Sequence, residues 1–420
     1  MDSAKSARSG EPAAGWYGAD PTTTDLKPSP HGLYRHLRDI QPVNLTPLGS
    51  WRLSRYVDIQ KLLKHSRSGM RDLDGLIPNE TREDSAASKF MLRMDPPDHD
   101  RLRNLVSKAF TPRALNTMRP QVEALVAKEL DRVSPLGEMD MVADLALAVP
   151  AASMCAMLGV PFEDRHRLTK LVSLVTYRLA KQAFPQLQQQ SEAAIFELAT
   201  YMLELIEARR AHPTEDILGQ LVLAEEAGDR LSTDELLQQC IGLLVAGLET
   251  TIGLIANGML CFYRHPGEFD RLAANPTLVH SAVEECLRFE PSVPVTIRVW
   301  WEDTEFSGIT VPANSTVVAL LIGANRDPEI FTDPDRFDIS RDEAKHCSFG
   351  GGIHFCLGSH LAKMNAEIAF TQMARRFTAI EIDDSRITWH RHSFASPAPC
   401  QHISSAAVSP SGRAAPAILH

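Results

Sequence analysis

Residues 346–370 read HCSFGGGIHFCLGSHLAKMNAEIAF. One cysteine, Cys356, follows a run of glycines and a histidine and stands just before a stretch with helical periodicity. A thiolate is a strong, soft ligand for iron once it is held ionised and shielded from water. Backbone N–H groups at a helix N-terminus point at such an anion and carry positive partial charge. Gly350, Gly351, Gly352 and Gly358 would let the main chain approach a flat macrocycle closely. The plainer alternative is a flexible loop before a helix, with an inert buried cysteine. That alternative leaves the glycines, Phe349 and His354 without a purpose.

Outward from this stretch, helical periodicity dominates. Residues 50–66 (SWRLSRYVDIQKLLKHS) predict a short strand and then a helix, and residues 98–110 (DHDRLRNLVSKAF) are amphipathic. Thr111 at the cap and Pro112 in the first turn open another helix. Further helices are expected within 120–133, 144–158 and 193–210. From Thr233 to Arg264 the pattern runs without proline, which predicts one helix of about 45 Å. After Pro291 the texture changes. TIRVWW, ITVPANSTVVALL and FTAIEI are rich in β-branched residues and predict short strands. Residues 322–341 are dense in Pro, Asp and Asn and predict irregular coil. The fold class is therefore mainly α with a small β portion, built around one long central helix.

The chain has 420 residues and a formal net charge of -10. The charge argues against general affinity for nucleic acid. The first residues, MDSAKSARSGEPAAG, lack the apolar core of a signal peptide. The greasiest run, IGLLVAGLETTIGLIANGML, is interrupted by Glu249, Thr250 and Thr251 and reads as a buried helix rather than a membrane span. Seven cysteines with no CxxC pair argue against a disulfide framework or a structural zinc site, and point to a reducing cytoplasm. No linker or repeat divides the chain. The expected organisation is a flexible segment over 1–24, one domain over 25–400, and a disordered tail over 401–420.

Phe349, Gly352, His354, Cys356 and Gly358 fit FxxGxHxCxG, and with them the chain resembles the cytochrome P-450 superfamily in its soluble bacterial branch. The resemblance covers about residues 25–385. It implies the P-450 fold, haem b with Cys356 as axial thiolate and sole metal ligand, and Phe349, Gly350, His354 and Gly358 around it. Thiolate donation favours O–O cleavage. Glu285 and Arg288 form the family's ExxR pair, one helical turn apart. Pro334, Arg336 and Phe337 match PxRF, which implies that Arg336 locks that pair. Ala246, Gly247, Glu249 and Thr250 match the oxygen-binding stretch. There a small pair leaves room for a ligand, and a carboxylate beside a hydroxyl relays protons. His99 and Arg103, in MDPPDHDRLR, together with Arg298 and His354, match contacts to the haem propionates, whose paired carboxylates suit such donors.

The function implied is a haem-thiolate monooxygenase. It inserts one oxygen atom of O2 into an apolar small molecule, with electrons from NAD(P)H through a separate ferredoxin or flavodoxin and its reductase. No membrane anchor and no fused reductase are expected, and the protein should be a monomer. Expected substrate contacts are the loop from Met70 to Phe90, then Leu243, Leu244, Val293, Val295, Thr296 and Phe394, mostly aliphatic. A basic patch of Arg101, Lys108, Arg113, Lys345 and Lys363 would receive the acidic ferredoxin. Two readings compete. One is a peroxygenase driven by hydrogen peroxide, which the acid–threonine pair disfavours. The other is a catalytically silent haem sensor or accessory protein, which the retained cysteine disfavours. Two departures from the family stand out. Lys363 and Asn365 replace the Arg and Glu of ARxE, and the glycine–leucine–proline–valine close is missing.

Overall fold

The computed structural model describes residues 31–46, 49–70, 90–110, 112–179, 188–224, 231–342, 345–383, 387–392, 400–405 and 407–410. Among these residues the helices are α1 (His31–Ile40), α2 (Tyr56–Lys64), α3 (Asp98–Ser107), α4 (Pro112–Val133), α5 (Ala148–Leu158), α6 (Arg165–Leu179) and α7 (Gln188–Ala211). They continue with α8 (Ile217–Ala224), α9 (Thr233–Arg264), α10 (Pro266–Ala274), α11 (Val279–Phe289), α12 (Leu321–Ala324) and α13 (Ser359–Arg376). The four expected strand regions are all extended. They become β2 (Trp51–Leu53), β5 (Thr296–Trp300), β7 (Ile309–Val311) with β8 (Ser315–Ala319), and β9 (Ile380–Ile382). Thr111 lies outside the described residues; α4 is assigned from Pro112.

The long helix α9 has the bounds that its sequence pattern predicts. Ser232 Oγ accepts from the Glu235 N–H at 3.1 Å, while Glu235 Oε2 accepts from the Ser232 N–H at 2.8 Å. This reciprocal cap satisfies two of the donors that a helix start leaves open. The second half of α9 is buried on nearly every face. Gly258 permits the close crossing of α13, because a Cβ there would come 2.4 Å from Phe370 Cζ. Phe262 then packs edge-on against Phe269, Phe337 and Phe370. Both α9 and Met141–Leu158 are long and apolar enough to cross a membrane by length and composition. Yet 78% and 72% of those windows are buried within the protein, as core helices are.

A five-stranded sheet has the order β1-β2-β8-β5-β3, with β1 at Val43–Leu45 and β3 at Ser68–Gly69. Its register sets Arg298 opposite Val317 and Gly69 opposite Val299. Beyond Pro291 stands a short hairpin of β6 (Thr304–Phe306) and β7. The end of the chain departs from expectation. Within the segment expected to be disordered, β11 (Cys400–Ser405) pairs with β10 (Thr388–His392), and β12 (Ala407–Pro410) lies between β4 (Met139–Asp140) and β9. β12 is the middle strand of that small sheet, so backbone pairing on both of its edges joins β4 to β9.

The irregular coil after α12 is held by the ExxR pair. Arg288 Nε and Nη2 donate to the two oxygens of Glu285 at 2.7 and 2.8 Å, with both side chains 1% exposed. The same guanidinium donates to the carbonyls of Asn325 (2.9 Å), Pro334 (2.8 Å) and Arg336 (3.1 Å). The third member of the network is not Arg336. The Arg336 side chain is 64% exposed and reaches only Asp338, at 3.5 Å. Arg341 occupies the expected place, with Nε 3.2 Å from Glu285 Oε2 and donated bonds to the carbonyls of Thr332, Asp333 and Arg336. Asp338 N–H, two residues beyond Arg336, already takes Glu285 Oε1 at 2.9 Å and turns that part of the coil outward. Arg341→Ala should therefore lower stability by about 2–3 kcal/mol, against about 0.5 kcal/mol or less for Arg336→Ala, measured by denaturant unfolding. Equal losses would return Arg336 to the network.

One residue earlier on α11, Glu284 binds His346 Nε2 at 2.9 Å and Lys363 Nζ at 2.5 Å. It thereby ties α11 to both ends of the cysteine loop. Burial alone would raise the Glu284 carboxyl, but the hydrogen bonds and charges of His346 and Lys363 outweigh it and hold it at about 2. A carboxyl depressed on folding stabilises above its ordinary value of 4.5, and that contribution is lost as pH falls towards 2. Glu284→Gln should thus cost on the order of 3 kcal/mol at neutral pH, and the gap from wild type should close between about pH 5 and pH 2. A gap that stays constant over that range would remove the ion pairs as its cause.

Candidate functional site

The loop that carries Cys356 is shaped by glycine at two positions. Gly350 and Gly352 have φ of +69° and +64°, a region that other residues rarely adopt. A Cβ on Gly352 would also fall 2.1 Å from the carbonyl oxygen of Leu63 on α2. The loop then closes through Gly350 N–H to Cys347 O (2.8 Å), Phe355 N–H to Gly352 O (3.1 Å) and Cys356 N–H to Phe349 O (2.9 Å). Phe349 lies edge-on to Phe355, with Lys363 Nζ 5.5 Å from its ring centre.

Cys356 stands three residues before α13. Burial pushes its thiol up from the ordinary value, while the Gly358 N–H and the charge of Arg103 pull it down. Those two groups stabilise a thiolate. Cys347, nine residues earlier, also has a hydrogen bond and a nearby cation, Lys64, but lies fully buried in the core. Its sulfur receives a hydrogen bond from Gln60 at 3.1 Å, and burial raises its thiol to about 11. It sits inside the cluster of Leu53, Leu62 and Trp300 as a structural cysteine.

The four expected propionate donors converge around this loop. His99 and His354 have ring centres 4.4 Å apart. Arg103 Nη2 donates to Phe355 O at 2.6 Å. Arg298, 5% exposed on β5, donates to Ile297 O (2.7 Å), Thr296 Oγ1 (3.0 Å) and Met70 Sδ (3.4 Å), all uncharged acceptors. Burial lowers the Arg298 guanidinium to about 10, although Asp95 acts against the shift. Burial also lowers His354 to about 4, with Arg298 and His99 adding to the shift and Asp95 opposing it. His99 Nε2 and His354 Nε2 are buried with no hydrogen-bond partner. A buried donor without an acceptor costs about 1–3 kcal/mol. Two orphaned imidazole nitrogens beside two arginines fit a ligand with two carboxylates.

Gly358 gives a second test of fit. Its φ is −84°, within reach of any residue, and a Cβ there would meet nothing within 4 Å. The protein's own packing does not require glycine at this position. A planar group against Cys356 would. The residues present therefore fit haem, with Cys356 on one side and the four donors at its edge.

The stretch that resembles the oxygen-binding motif lies on α9, which packs on α13. Thr250 Oγ1 donates to Ala246 O at 2.8 Å, engaging a backbone acceptor of the helix. Glu249, 5% exposed, accepts from Ser173 Oγ of α6 at 3.2 Å. Phe90 lies against α9, since a Cβ on Gly242 would come 2.2 Å from its ring. Leu243 is buried in the main core. Val293 and Thr296 are partly exposed, and Thr296 accepts from Arg298.

Three expected contacts are corrected. Gly247 serves helix packing, because a Cβ there would meet Met154 of α5 at 2.9 Å; Ala246 alone is left for the ligand side. Leu244 lines a small apolar cavity between α5, α6 and α9, with Met154, Leu168 and Leu248. Val295 is buried with Tyr34, Leu37 and Met70. For Leu244 and Val295 the side chain turns into the core, a direction that a position on a helix or strand sets. Phe394 and the loop between Met70 and Phe90 lie outside the described residues.

Sequence reasoning missed Asp95, Ser173, Gln239 and Arg341. Gln239, 0% exposed on α9, accepts from the Met91 N–H at 3.2 Å and fixes the turn before α3. A glutamine in an apolar helix face was the available signal. Asn365, one of the departures from ARxE, is buried and meets Ser153 Oγ at 2.5 Å. The other, Lys363, is taken by Glu284.

Comparison with known proteins agrees with this geometry. The family model described as Cytochrome P450 matches residues 43–399. The chain is 35% identical over 372 residues to the biotin biosynthesis cytochrome P450 of Bacillus subtilis (strain 168), covering 86% of this chain and 92% of the relative. It is 37% identical over 352 residues to the vitamin D(3) 25-hydroxylase of Pseudonocardia autotrophica, covering 82% and 85%. The crystal structure of P450BioI in complex with hexadec-9Z-enoic acid ligated acyl carrier protein superposes with a TM-score of 0.80 at 33% identity, covering 91% of this chain and 98% of that one. A cysteine loop, a cation-lined edge and a long helix over them, matched along most of the sequence, place the chain in the cytochrome P450 family, as a monooxygenase.

Proposed function

We propose that this cytochrome P450 inserts one oxygen atom of O2 into an apolar small molecule, with electrons drawn from NAD(P)H through a separate ferredoxin or flavodoxin, and that Cys356 is the axial thiolate. Family membership implies haem held by a cysteine thiolate. Which cysteine that is rests on one observation. Cys356 is partly exposed in the glycine-shaped loop three residues before α13, whereas Cys347 is fully buried in the apolar cluster of Leu53, Leu62 and Trp300.

When bound, haem supplies the activation of O2. The chain supplies the rest. Gly358 and Arg103 would favour the ionised sulfur against the effect of burial, and His99, Arg103, Arg298 and His354 would hold the two carboxylates. Glu249 and Thr250, adjacent on α9, deliver protons on the opposite side. Phe90, Leu243, Ala246, Val293 and Thr296 give the substrate side a mostly apolar lining. The named relatives act on dissimilar molecules, so the reading stops at an apolar substrate. For the redox partner, Lys108 and Lys345 are exposed near the cysteine loop, as are Ile353 and Phe355. Lys363 and Arg101 are already paired with Glu284 and Glu235 and drop out of the docking patch.

Reduced protein under carbon monoxide should show the red-shifted Soret band of thiolate ligation. Cys356→His should lose that band and the monooxygenase activity, and Cys347→Ser should keep both. A band that survives in Cys356→His sinks the assignment. Turnover with peroxide alone, and none with NAD(P)H and surrogate partners, would favour a peroxygenase instead.

Thr250→Ala should still bind substrate and consume NADPH, but product per NADPH should fall by about tenfold or more, with peroxide making up the difference. Normal coupling in this variant and in Glu249→Gln would mean that protons arrive by another route.

A further inference from the structure

Asp95 is 5% exposed and is not among the residues assigned to the site so far. Its two carboxylate oxygens accept from the Met70 N–H at 2.9 and 3.1 Å. Met70 directly follows β3, and its sulfur accepts from Arg298 Nη1 at 3.4 Å. Asp95 Oδ1 also stands 4.0 Å from His354 Nε2, an ion-pair separation rather than a hydrogen bond. The Asp95 carbonyl accepts from the His99 N–H at 3.1 Å, in the first turn of α3. One residue thus reaches three of the four donors, each by a different route.

The backbone is fitted closely to this carboxylate. A Cβ on Gly69 would fall 2.5 Å from Asp95 Oδ1 and 2.1 Å from the Trp301 ring. Only glycine brings β3 and Met70 within reach. A buried carboxylate costs several kcal/mol unless it is paired. A neutral polar side chain could bond the Met70 amide more cheaply, so the charge needs a second purpose. The neighbouring Arg298 and His354 supply one.

We propose that Asp95 is a positioning residue for the haem edge: through Met70 it holds Arg298, and directly it holds His354, aimed at the cofactor's carboxylates. This rests on the reading of Cys356 and the four donors given above. Failure of that reading would show in the wild type, which would lack the thiolate band. Failure of the present proposal leaves that band in place.

The test compares Asp95→Ala, Asp95→Asn, Met70→Leu and the double variant Asp95→Ala/Met70→Leu. Two quantities are read: the rate of haem transfer to excess apomyoglobin, and the melting midpoint of the haem-free protein. Asp95→Ala should release haem about tenfold faster or more, as loss of an outer partner of a cofactor ligand does. Met70→Leu should release it at an intermediate rate. The double variant should be no faster than Asp95→Ala, because both changes break one chain of contacts. Asp95→Asn keeps the bond from Met70 but loses the charge that faces Arg298, and should release haem at a rate between those of wild type and Asp95→Ala. If Asp95→Ala melts earlier but releases haem at the wild-type rate, the residue is merely structural and the proposal falls. Additive rates in the double variant overturn it too. Should Asp95→Ala fail to fold, Met70→Leu decides, and a wild-type release rate there overturns the link to Arg298.

Discussion

The buried pair of Glu285 and Arg288 is the interaction on which the cysteine side of the molecule depends. Two charges removed from water are costly, and the cost is met only when every donor and acceptor finds a partner. Here they do. Arg288 gives two bonds to Glu285 and three to carbonyls of the coil over 325–336, and Glu285 takes Arg341 and the Asp338 amide as well. A coil with no ladder of its own thereby gains fixed backbone positions. Asn325, at one end of it, then donates to Ser348 Oγ and accepts from the Cys347 N–H. The geometry of α11 is thus passed through the coil to the loop that bears Cys356.

The edge of the site follows a different logic. Its donors are crowded and desolvated, and Asp95 is placed among them. His354 and Arg298 both lose protons more readily than they would in water. Such a cluster is unfavourable by itself and becomes favourable beside two carboxylates. Cofactor binding and local stability are therefore linked by mass action, as for any group that binds only the folded state.

Much of this was legible in the sequence, and what was not has physical causes. The bounds of α9 follow from a proline-free pattern and a Ser–Glu cap, both local signals. The cysteine loop follows from glycines whose positive φ no other residue replaces cheaply. Motif spacing anticipated the contact of Glu285 with Arg288, since i and i+3 positions on a helix leave little choice of direction. Arg336 against Arg341 could not be decided that way. Both lie in coil, where no period tells which side chain turns inward; the choice depends on Asp338 capturing Glu285 first. Gly247, Leu244 and Val295 failed for a related reason. An apolar residue beside a site is equally at home facing the core, and a single sequence does not distinguish the two. The paired strands over 400–410 escaped notice because backbone pairing leaves little mark on composition.

Gly352 has a consequence for how the protein is made. The cysteine loop rests against the Leu63 carbonyl of α2, and the Tyr56 hydroxyl of the same helix bonds Lys345 O across 289 residues of sequence. The early helix leaves the ribosome long before the loop that it shapes. Until the chain has passed the cysteine loop, α2 exposes the surface meant for it, and the Glu285–Arg288 pair lacks Arg341. Contacts of such long sequence separation form late, after loop closure has been overcome. Haem capture is accordingly expected late in synthesis, and a nascent chain that stalls between residues 325 and 340 holds the sequence of every helix from α1 to α12 but not the loop that carries Cys356.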